Sequence, residues 1–245
     1  ITPNKPLVAY SAGLGRSYSG NPKYLLEFIL KNHIVPLENM IWIFSNRVSF
    51  ESHSVPIKKV MSNSIEGLHQ IASSRVWITD HSYSEFGPNL LRTHKIVQLW
   101  HGVGPKREPS NSVSTLKKRH IRKSWQRFDA IISTSAAAVP HYFDFFELQE
   151  GKVYFFGYAR HEFLSKKRNN SFYAETMRRK LSSDQSVLNK KWILFAPTWR
   201  DNGLNISNEE LKLINDIVNE NGGILFVRAH PIFGDQLRLL NKGYF

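Results

Sequence analysis

Residues 6–32 read PLVAYSAGLGRSYSGNPKYLLEFILKN, and they combine an apolar run, a glycine-rich turn and an amphipathic stretch. Residues 6–11 predict a buried strand, and the apolar side chains within residues 22–32 recur at helical spacing. Residues 13–20 predict the turn between them, with Asn21 as the N-cap of the helix. A strand that leads directly into a helix is the repeating half of a parallel sheet with crossover helices.

The same alternation continues along the rest of the chain. Further strands are predicted at residues 40–44, 75–78, 95–99, 130–133, 153–156, 192–196 and 224–228, and further helices at residues 64–73, 113–127, 172–181 and 207–219. We therefore predict an α/β fold built on parallel sheets.

A polar segment between the predicted strands and helices indicates where the chain divides into domains. Residues 165–170 (SKKRNN) are charged and polar, as in a linker or an exposed loop. We predict an N-terminal Rossmann-like domain over residues 1–160 and a partial C-terminal Rossmann-like domain over residues 161–245. The second unit is shorter than the roughly 100 residues that such a domain usually needs, and the chain begins with Ile1 instead of Met. We therefore expect the sequence to be a piece of a longer protein.

The composition excludes some kinds of site but does not identify one function. The chain has 33 Lys and Arg against 20 Asp and Glu, a net charge of +13, which favours an anionic partner: a nucleotide, a phosphate polymer, a nucleic acid or an acidic membrane surface. It has no cysteine, which excludes disulfides, thiolate nucleophiles and Cys-ligated zinc. No metal site is predicted, because none of the histidines has the i, i+4 spacing of a helical zinc site. No uncharged run reaches the roughly 20 apolar residues that a membrane-spanning helix needs.

Four predicted strands end in residues suited to phosphate binding or proton transfer. After the first, Gly13 and Gly15 either let the backbone approach a phosphate or form an ordinary turn, since the complete phosphate-loop and dinucleotide patterns are absent. After residues 95–99, His101 in the Trp-His-Gly motif is either a general base or a histidine that is hydrogen-bonded under a loop. The ends of the last two strands carry Thr198, Arg200, Arg228 and His230, hydroxyl, cationic and imidazole groups that suit phosphate oxygens. Arg200 paired with a neighbouring acid is the alternative there.

A basic run, residues 117–123 (KKRHIRK), also suits polyanions. Such runs are more often a solvated helix face.

The order and spacing of these motifs resemble one family. Trp-His-Gly at residues 100–102, Pro-Thr-Trp-Arg at 197–200 and Arg-x-His-Pro at 228–231 resemble the CDP-glycerol glycerophosphotransferase family, which includes teichoic-acid primases and polymerases and related capsule polymerases. Residues 157–162 (GYARHE) resemble the family's Gly-Tyr-Pro-Arg-Asn-Asp segment at the domain junction. The sequence departs from the family in two places. The family usually continues Trp-His-Gly-Thr-Pro, whereas here Val103 and Gly104 stand between Gly102 and Pro105. The family's later Asp-Tyr-Ser-Ser segment is absent from this sequence.

The resemblance implies a glycosyltransferase-B-like fold of two Rossmann-like domains, the second one truncated, with the active site in the cleft between them. It implies transfer of glycerol phosphate or ribitol phosphate from a CDP-linked donor to a hydroxyl, with release of CMP. The residues implied are His101 and His230 in catalysis, Thr198, Arg200, Arg228, Gly102 and Arg160 at the donor phosphates, and Gly15, Arg16 and Lys106 on the acceptor side.

The same resemblance implies the partners and the location. They are a CDP-activated alditol donor, a polymeric or lipid-linked acceptor, and an anionic membrane surface on the cytoplasmic side of a bacterial cell, where the protein would be peripheral. No nucleic acid is expected, and no cofactor is required, although a divalent cation stays open. Two alternatives stay open as well: a glycosyltransferase that uses another sugar nucleotide, and a non-catalytic polyanion-binding protein.

Overall fold

The computed structural model describes residues 7–81, 94–102, 123, 125–146, 148, 151–197 and 206–228. The chain separates into two compact units, Ile1–Arg168 and Asn169–Phe245. The predicted boundary after residue 160 falls inside a helix, Ala159–Lys167, which packs on another helix of the first unit.

Within the described residues, the first unit contains both strands and helices. Its strands are β1 (Leu7–Ser11), β2 (Met40–Phe44), β3 (Lys58–Met61), β4 (Ser74–Thr79), β5 (Lys95–Gln98), β6 (Ala130–Ile132) and β7 (Val153–Tyr154), and its helices are α1 (Gly20–Lys31), α2 (Arg47–Ser52), α3 (Ile65–Ser73), α4 (Val139–Phe146) and α5 (Ala159–Lys167). Short 3₁₀ turns cover Gly13–Gly15, Leu37–Asn39 and Ala136–Ala138.

The seven strands form one sheet in the order β3-β2-β1-β4-β5-β6-β7, and every neighbouring pair is parallel. The chain therefore proceeds outward from β1 in one direction and then returns to build the other side from β4. The sheet is doubly wound, and its order reverses between β1 and β4.

Strand periodicity divides the core into two layers. In β2, Ile41 and Ile43 pack in one cluster, while Trp42 and Phe44 pack in the other. Because successive side chains of a strand point to opposite faces, a run that is apolar throughout covers both faces of the sheet. Helices pack on both sides, which is why β2 is fully buried.

The second unit is a smaller βαβ arrangement. The described elements are α6 (Ser171–Leu181), α7 (Gln185–Leu188), β8 (Lys191–Phe195), α8 (Asn208–Glu220) and β9 (Gly223–Val227), and β8 pairs with β9 in parallel. Ser207 and Glu210 form a reciprocal capping box that fixes the start of α8.

The α/β prediction is confirmed, with some local differences. The helix α1 begins at Gly20 with Ser19 as its N-cap, so the prediction of Asn21 as the cap is wrong. The predicted loop over residues 165–170 begins inside α5. The predicted helix at residues 113–127 lies almost entirely outside the described residues. Among the described residues, no helix combines the length and the hydropathy needed to cross a bilayer.

Candidate active site at the sheet reversal

The carboxyl ends of β1, β4 and β5 lie side by side. Ser11 at the end of β1 pairs with Thr79 of β4, and Thr79 pairs with Gln98 of β5. The loops that follow these three strands therefore leave the sheet next to one another, at the point where the strand order reverses. In doubly wound folds this switch point is where ligands bind.

Asp80, the first residue after β4, connects these loops. Its side chain is only 4% exposed. One carboxylate oxygen, Oδ1, accepts the Gly13 amide at 3.0 Å and contacts Nδ1 of His81 at 2.7 Å. A Cβ atom on Gly20 would lie 2.5 Å from the other oxygen, Oδ2, so only glycine fits there. The Gly13–Gly15 turn and the start of α1 are thus both built against this carboxylate.

Trp100, in the turn after β5, has a strained backbone conformation. Its φ of 48° lies in the left-handed region, which non-glycine residues adopt at a cost of about 1–3 kcal/mol. Polar side chains hold both sides of the residue: its amide donates to Oε1 of Gln98 at 2.9 Å, and its carbonyl accepts Nδ2 of Asn21 at 2.7 Å. Asn21 also donates to the Leu99 carbonyl at 3.2 Å. The strain is thus maintained by partly buried hydrogen bonds next to His101.

The His101 ring has a defined tautomer. Its Nδ1 lies 2.8 Å from the Asp80 carbonyl oxygen, and because a carbonyl can only accept, Nδ1 carries the hydrogen. In the neutral ring, Nε2 then keeps its lone pair. The ring also lies against those of His81 and Trp100, with centroid distances of 4.3 and 4.2 Å. His101 therefore presents the lone pair of Nε2, as a candidate general base requires.

The surroundings of His101 favour the neutral imidazole. The residue reaches the surface, but ring packing removes water from it, and this burial is the main reason why the pKa of His101 is lowered. The charges of His81 and Arg160 lower this pKa further, while the hydrogen bond to the Asp80 carbonyl and the Asp80 charge oppose the shift. The net effect keeps the ring unprotonated at neutral pH.

Arg160, in the first turn of α5, and Gly102 both lie next to His101. The Arg160 Nη2 donates to the His101 carbonyl at 2.5 Å, and a Cβ on Gly102 would lie 3.9 Å from Nη2. The Arg160 amide donates to Oδ1 of Asn21 at 3.4 Å. Burial raises the pKa of the neighbouring Tyr158 hydroxyl, which therefore stays protonated. Three predicted site residues, His101, Gly102 and Arg160, are thus brought together.

Gly15 and Arg16 differ from each other in exposure. Gly15 is buried at a φ of 73°, and its carbonyl accepts the Ser45 amide at 2.8 Å. This glycine is required by the turn itself. Arg16 is exposed, and its guanidinium is accessible to an anionic ligand.

Arg228 follows β9 in the second unit. It is exposed, and its amide donates to the Phe195 carbonyl at the end of β8 at 2.9 Å. The other predicted site residues lie outside the described residues: Lys106, Thr198, Arg200 and His230.

Sequence reasoning missed four residues that build the site: Asn21, Gln98, Asp80 and His81. A signal was present for two of them. Asp80 and His81 follow the apolar strand 75–78 just as Trp100 and His101 follow β5, and the strand-end rule applies equally to both places.

The fold and the site place the first unit in a defined class. It is a doubly wound α/β unit with a candidate general base, His101, at its switch point. Within the part of the chain that the structure describes, no group of three or more His, Asp or Glu side chains is placed to hold a metal ion. The chain belongs to the CDP-glycerol:poly(glycerophosphate) glycerophosphotransferase family, whose model matches residues 1–245. The resemblance read from the sequence motifs is confirmed.

Several curated relatives are teichoic acid enzymes. The teichoic acid poly(glycerol phosphate) polymerase of Staphylococcus epidermidis is 26% identical over 98% of this chain and 34% of its own length. The teichoic acid glycerol-phosphate transferase of Staphylococcus aureus is 28% identical over 81% of this chain and 51% of its own length. The teichoic acid poly(ribitol-phosphate) polymerase of Bacillus spizizenii is 28% identical over 83% of this chain and 31% of its own length. The chain spans about half or less of these relatives.

Solved structures of the wall teichoic acid polymerase TagF share the fold. One of them is 24% identical with a TM-score of 0.77, over 98% of this chain and 60% of that chain. Another, a variant soaked with CDPG, is 25% identical with a TM-score of 0.76, over 97% of this chain and 59% of that chain.

Proposed function

We propose that this protein transfers an alditol phosphate, glycerol phosphate or ribitol phosphate, from a CDP-linked donor to a hydroxyl of a growing polymer or a lipid-linked acceptor, and releases CMP. Family membership supports this proposal, because both glycerol-phosphate and ribitol-phosphate enzymes are among the relatives. The observation that carries it is the fixed Nδ1–H tautomer of His101 at the switch point of the sheet.

His101 takes the role of general base in this reaction. Its Nε2 removes the proton of the acceptor hydroxyl as the acceptor oxygen bonds to the β-phosphorus of the donor. The bond between that phosphorus and the bridging oxygen breaks, and CMP leaves with the electron pair. The role needs an unprotonated imidazole, and the lowered pKa of His101 supports it. A positioned base contributes about 10²–10⁴-fold to the rate.

Charge neutralisation and positioning account for the rest of phosphoryl transfer. We assign Thr198, Arg200, Arg228 and His230 to the donor phosphates, and Gly102 and Arg160 to the donor side of the His101 loop. Gly15, Arg16 and Lys106 are assigned to the acceptor. The net charge of +13 supports a reaction in which donor, product and polymer are all anionic.

The finer arrangement that we propose is the one the family resemblance implies. It is a glycosyltransferase-B-like architecture of two Rossmann-like domains. We also propose that the protein works peripherally at the inner face of the cell membrane, where a lipid-linked acceptor and anionic headgroups meet the basic surface.

CMP release tests this function. The intact protein is supplied with CDP-glycerol or CDP-ribitol, with and without a polymeric or lipid-linked acceptor. We expect release from one of the two donors that depends on the acceptor and falls about 10²–10⁴-fold in His101→Ala, while donor binding persists. His69, exposed on α3, provides the matched control His69→Ala, which should keep its activity. Full turnover in His101→Ala would refute the role of the base.

A further inference from the structure

Asp80 contacts two imidazoles, each through its Nδ1 atom. Its carboxylate contacts Nδ1 of His81 at 2.7 Å, and its carbonyl oxygen contacts Nδ1 of His101 at 2.8 Å. Both partners of these nitrogens are acceptors, so each ring carries its hydrogen on Nδ1. The two rings stack with a centroid distance of 4.3 Å and an interplanar angle of 15°. Residue 81 thus forms one wall of the space that the His101 ring occupies.

The His81 wall is rigidly supported. Its carbonyl accepts Nε2 of Gln98 at 2.9 Å and the Thr79 hydroxyl at 3.3 Å. The Asp80 carboxylate that holds its ring is itself fixed by the Gly13 amide at 3.0 Å. The His81 side chain is 31% exposed, so it is enclosed on most of its surface and anchored at both backbone and ring.

The two imidazoles have different electrostatic partners. His81 faces a carboxylate through Nδ1, whereas His101 faces a neutral carbonyl through the same atom. The stacked pair therefore places an imidazole that a carboxylate fixes against the ring of the candidate base.

We propose that His81 is a positioning residue for His101: its stacked ring, held by the Asp80 carboxylate, fixes the orientation of the base, and its imidazole contributes to the electrostatic surroundings of that base. This inference rests on the proposed function of His101. It assigns no contact between His81 and the donor, so its effects are expected on turnover and not on donor binding.

The electrostatic part follows from the groups that face His101. Among the described residues these are Asp80 and His81 after β4 and Arg160 on α5. Burial, His81 and Arg160 lower the pKa of His101, and Asp80 raises it. Removing the His81 imidazole takes away one of the groups that lower the pKa of His101, and the base is then lost to protonation at a higher pH.

Two variants separate orientation from electrostatics. His81→Phe keeps an aromatic ring for stacking and removes the imidazole, whereas His81→Ala removes the ring altogether. His69→Phe, on the exposed face of α3, is the matched control. The intact protein is labelled with ¹⁵N-histidine, and the His101 signals are identified by their loss in His101→Gln. The pH titration and tautomer of His101 are then followed by NMR alongside CMP release.

In His81→Phe we expect the His101 titration and the acid limb of kcat/KM to move together to higher pH, with kcat at high pH within about threefold of the unmodified protein. In His81→Ala we expect the Nδ1–H tautomer to lose its dominance and kcat to fall about 10²-fold, the scale of a misplaced catalytic group. The donor KM should stay within about twofold in both variants.

Two results would overturn the inference. One is a His101 titration and tautomer that are the same in His81→Ala and in the control. The other is a loss of turnover in His81→Phe at every pH as large as in His101→Ala, which would make His81 itself the base. The NMR readout does not depend on turnover. If the NMR changes are as expected but the unmodified protein releases no CMP, the proposed function fails and the positioning role of His81 stands.

Discussion

The ends of β5 and β9 each present a residue that the proposed reaction uses, but the structure holds the two by different means. After β5, His101 is fixed through its ring to the Asp80 carbonyl, and the strained Trp100 before it is fixed by Gln98 and Asn21. After β9, Arg228 is anchored through its backbone amide, and its side chain is exposed.

This difference matches the chemistry of the two roles. The lone pair of a general base must point directly at the proton of the acceptor hydroxyl. A displacement of about 1 Å can lower the rate 10²-fold. A cation at a phosphate acts through charge, which depends on distance more than on angle, and its long side chain can find the oxygen after the ligand binds. The first region should therefore be sensitive to small changes far from the reacting atoms, and the second region much less so.

Two glycines test the comparison with the same substitution. Gly20 and Gly222 have φ values of 65° and 70°, so alanine is strained at both, by about 1–2 kcal/mol. At Gly20 the new Cβ would also lie 2.5 Å from Oδ2 of Asp80, whereas at Gly222 nothing lies within 4 Å. We expect Gly20→Ala to lose about 3 kcal/mol of unfolding free energy and about 10²-fold in kcat through the displaced Asp80.

Denaturant unfolding and CMP release measure both effects. In Gly222→Ala we expect only the strain, about 1 kcal/mol, with unchanged turnover. Equal losses in the two variants would show that the space around Asp80 is not what makes the first region sensitive.

Two asparagines at opposite ends of α1 give a second, smaller contrast. Asn21 is 1% exposed, and its side chain donates to the carbonyls of Leu99 and Trp100. Asn21→Ala leaves these acceptors unsatisfied, which should cost about 1–3 kcal/mol of unfolding free energy. Because the Trp100 turn then relaxes, we expect kcat to fall about tenfold.

Asn32→Ala is the matched control, since Asn32 donates to the Phe28 carbonyl at 2.7 Å on the exposed end of the same helix. Water replaces that bond, and the change should stay within about 0.5 kcal/mol without an effect on turnover. Thermal unfolding together with kcat distinguishes the two, and a normal kcat in Asn21→Ala would argue against a strained turn that serves His101.

The same contrast explains what the sequence could predict. Apolar runs such as residues 40–44 predicted their strands correctly because burial of both faces leaves a continuous pattern. His101 could be identified as a candidate because a motif at a strand end points to it. β3 was missed because two lysines occupy its first positions, and α5 because its apolar side chains have little helical periodicity.

The local sequence does not identify the residues that support His101. Asn21 satisfies the expected pattern of an N-cap, yet its side chain bonds across 79 positions to Trp100. The stacking of His81 on His101 depends on the pairing of β4 with β5, which no local pattern specifies. Hydrogen bonds between residues distant in sequence depend on the strand order. They can be predicted only when that order is known.

Arg228 gives the smallest expected effect and tests the other half of the comparison. In Arg228→Ala the backbone bond to Phe195 is retained, so the unfolding free energy should change by less than about 0.5 kcal/mol. Loss of one charge-assisted contact to phosphate should raise the donor KM about tenfold. Arg228→Lys should recover part of this loss, because lysine keeps the charge but not the planar fork. Arg168→Ala, at an exposed arginine after α5, is the control.

Initial rates of CMP release against donor concentration, at low and high salt, measure this effect. Salt screens exposed charges, so the difference in KM between the unmodified protein and Arg228→Ala should narrow as ionic strength rises. The acid limb of kcat/KM should not move, because the proposed base, His101, sets that limb. A displaced limb, or a KM difference that salt leaves unchanged, would mean that Arg228 acts through geometry, and the distinction between a held base and an accessible cation would no longer describe the two regions.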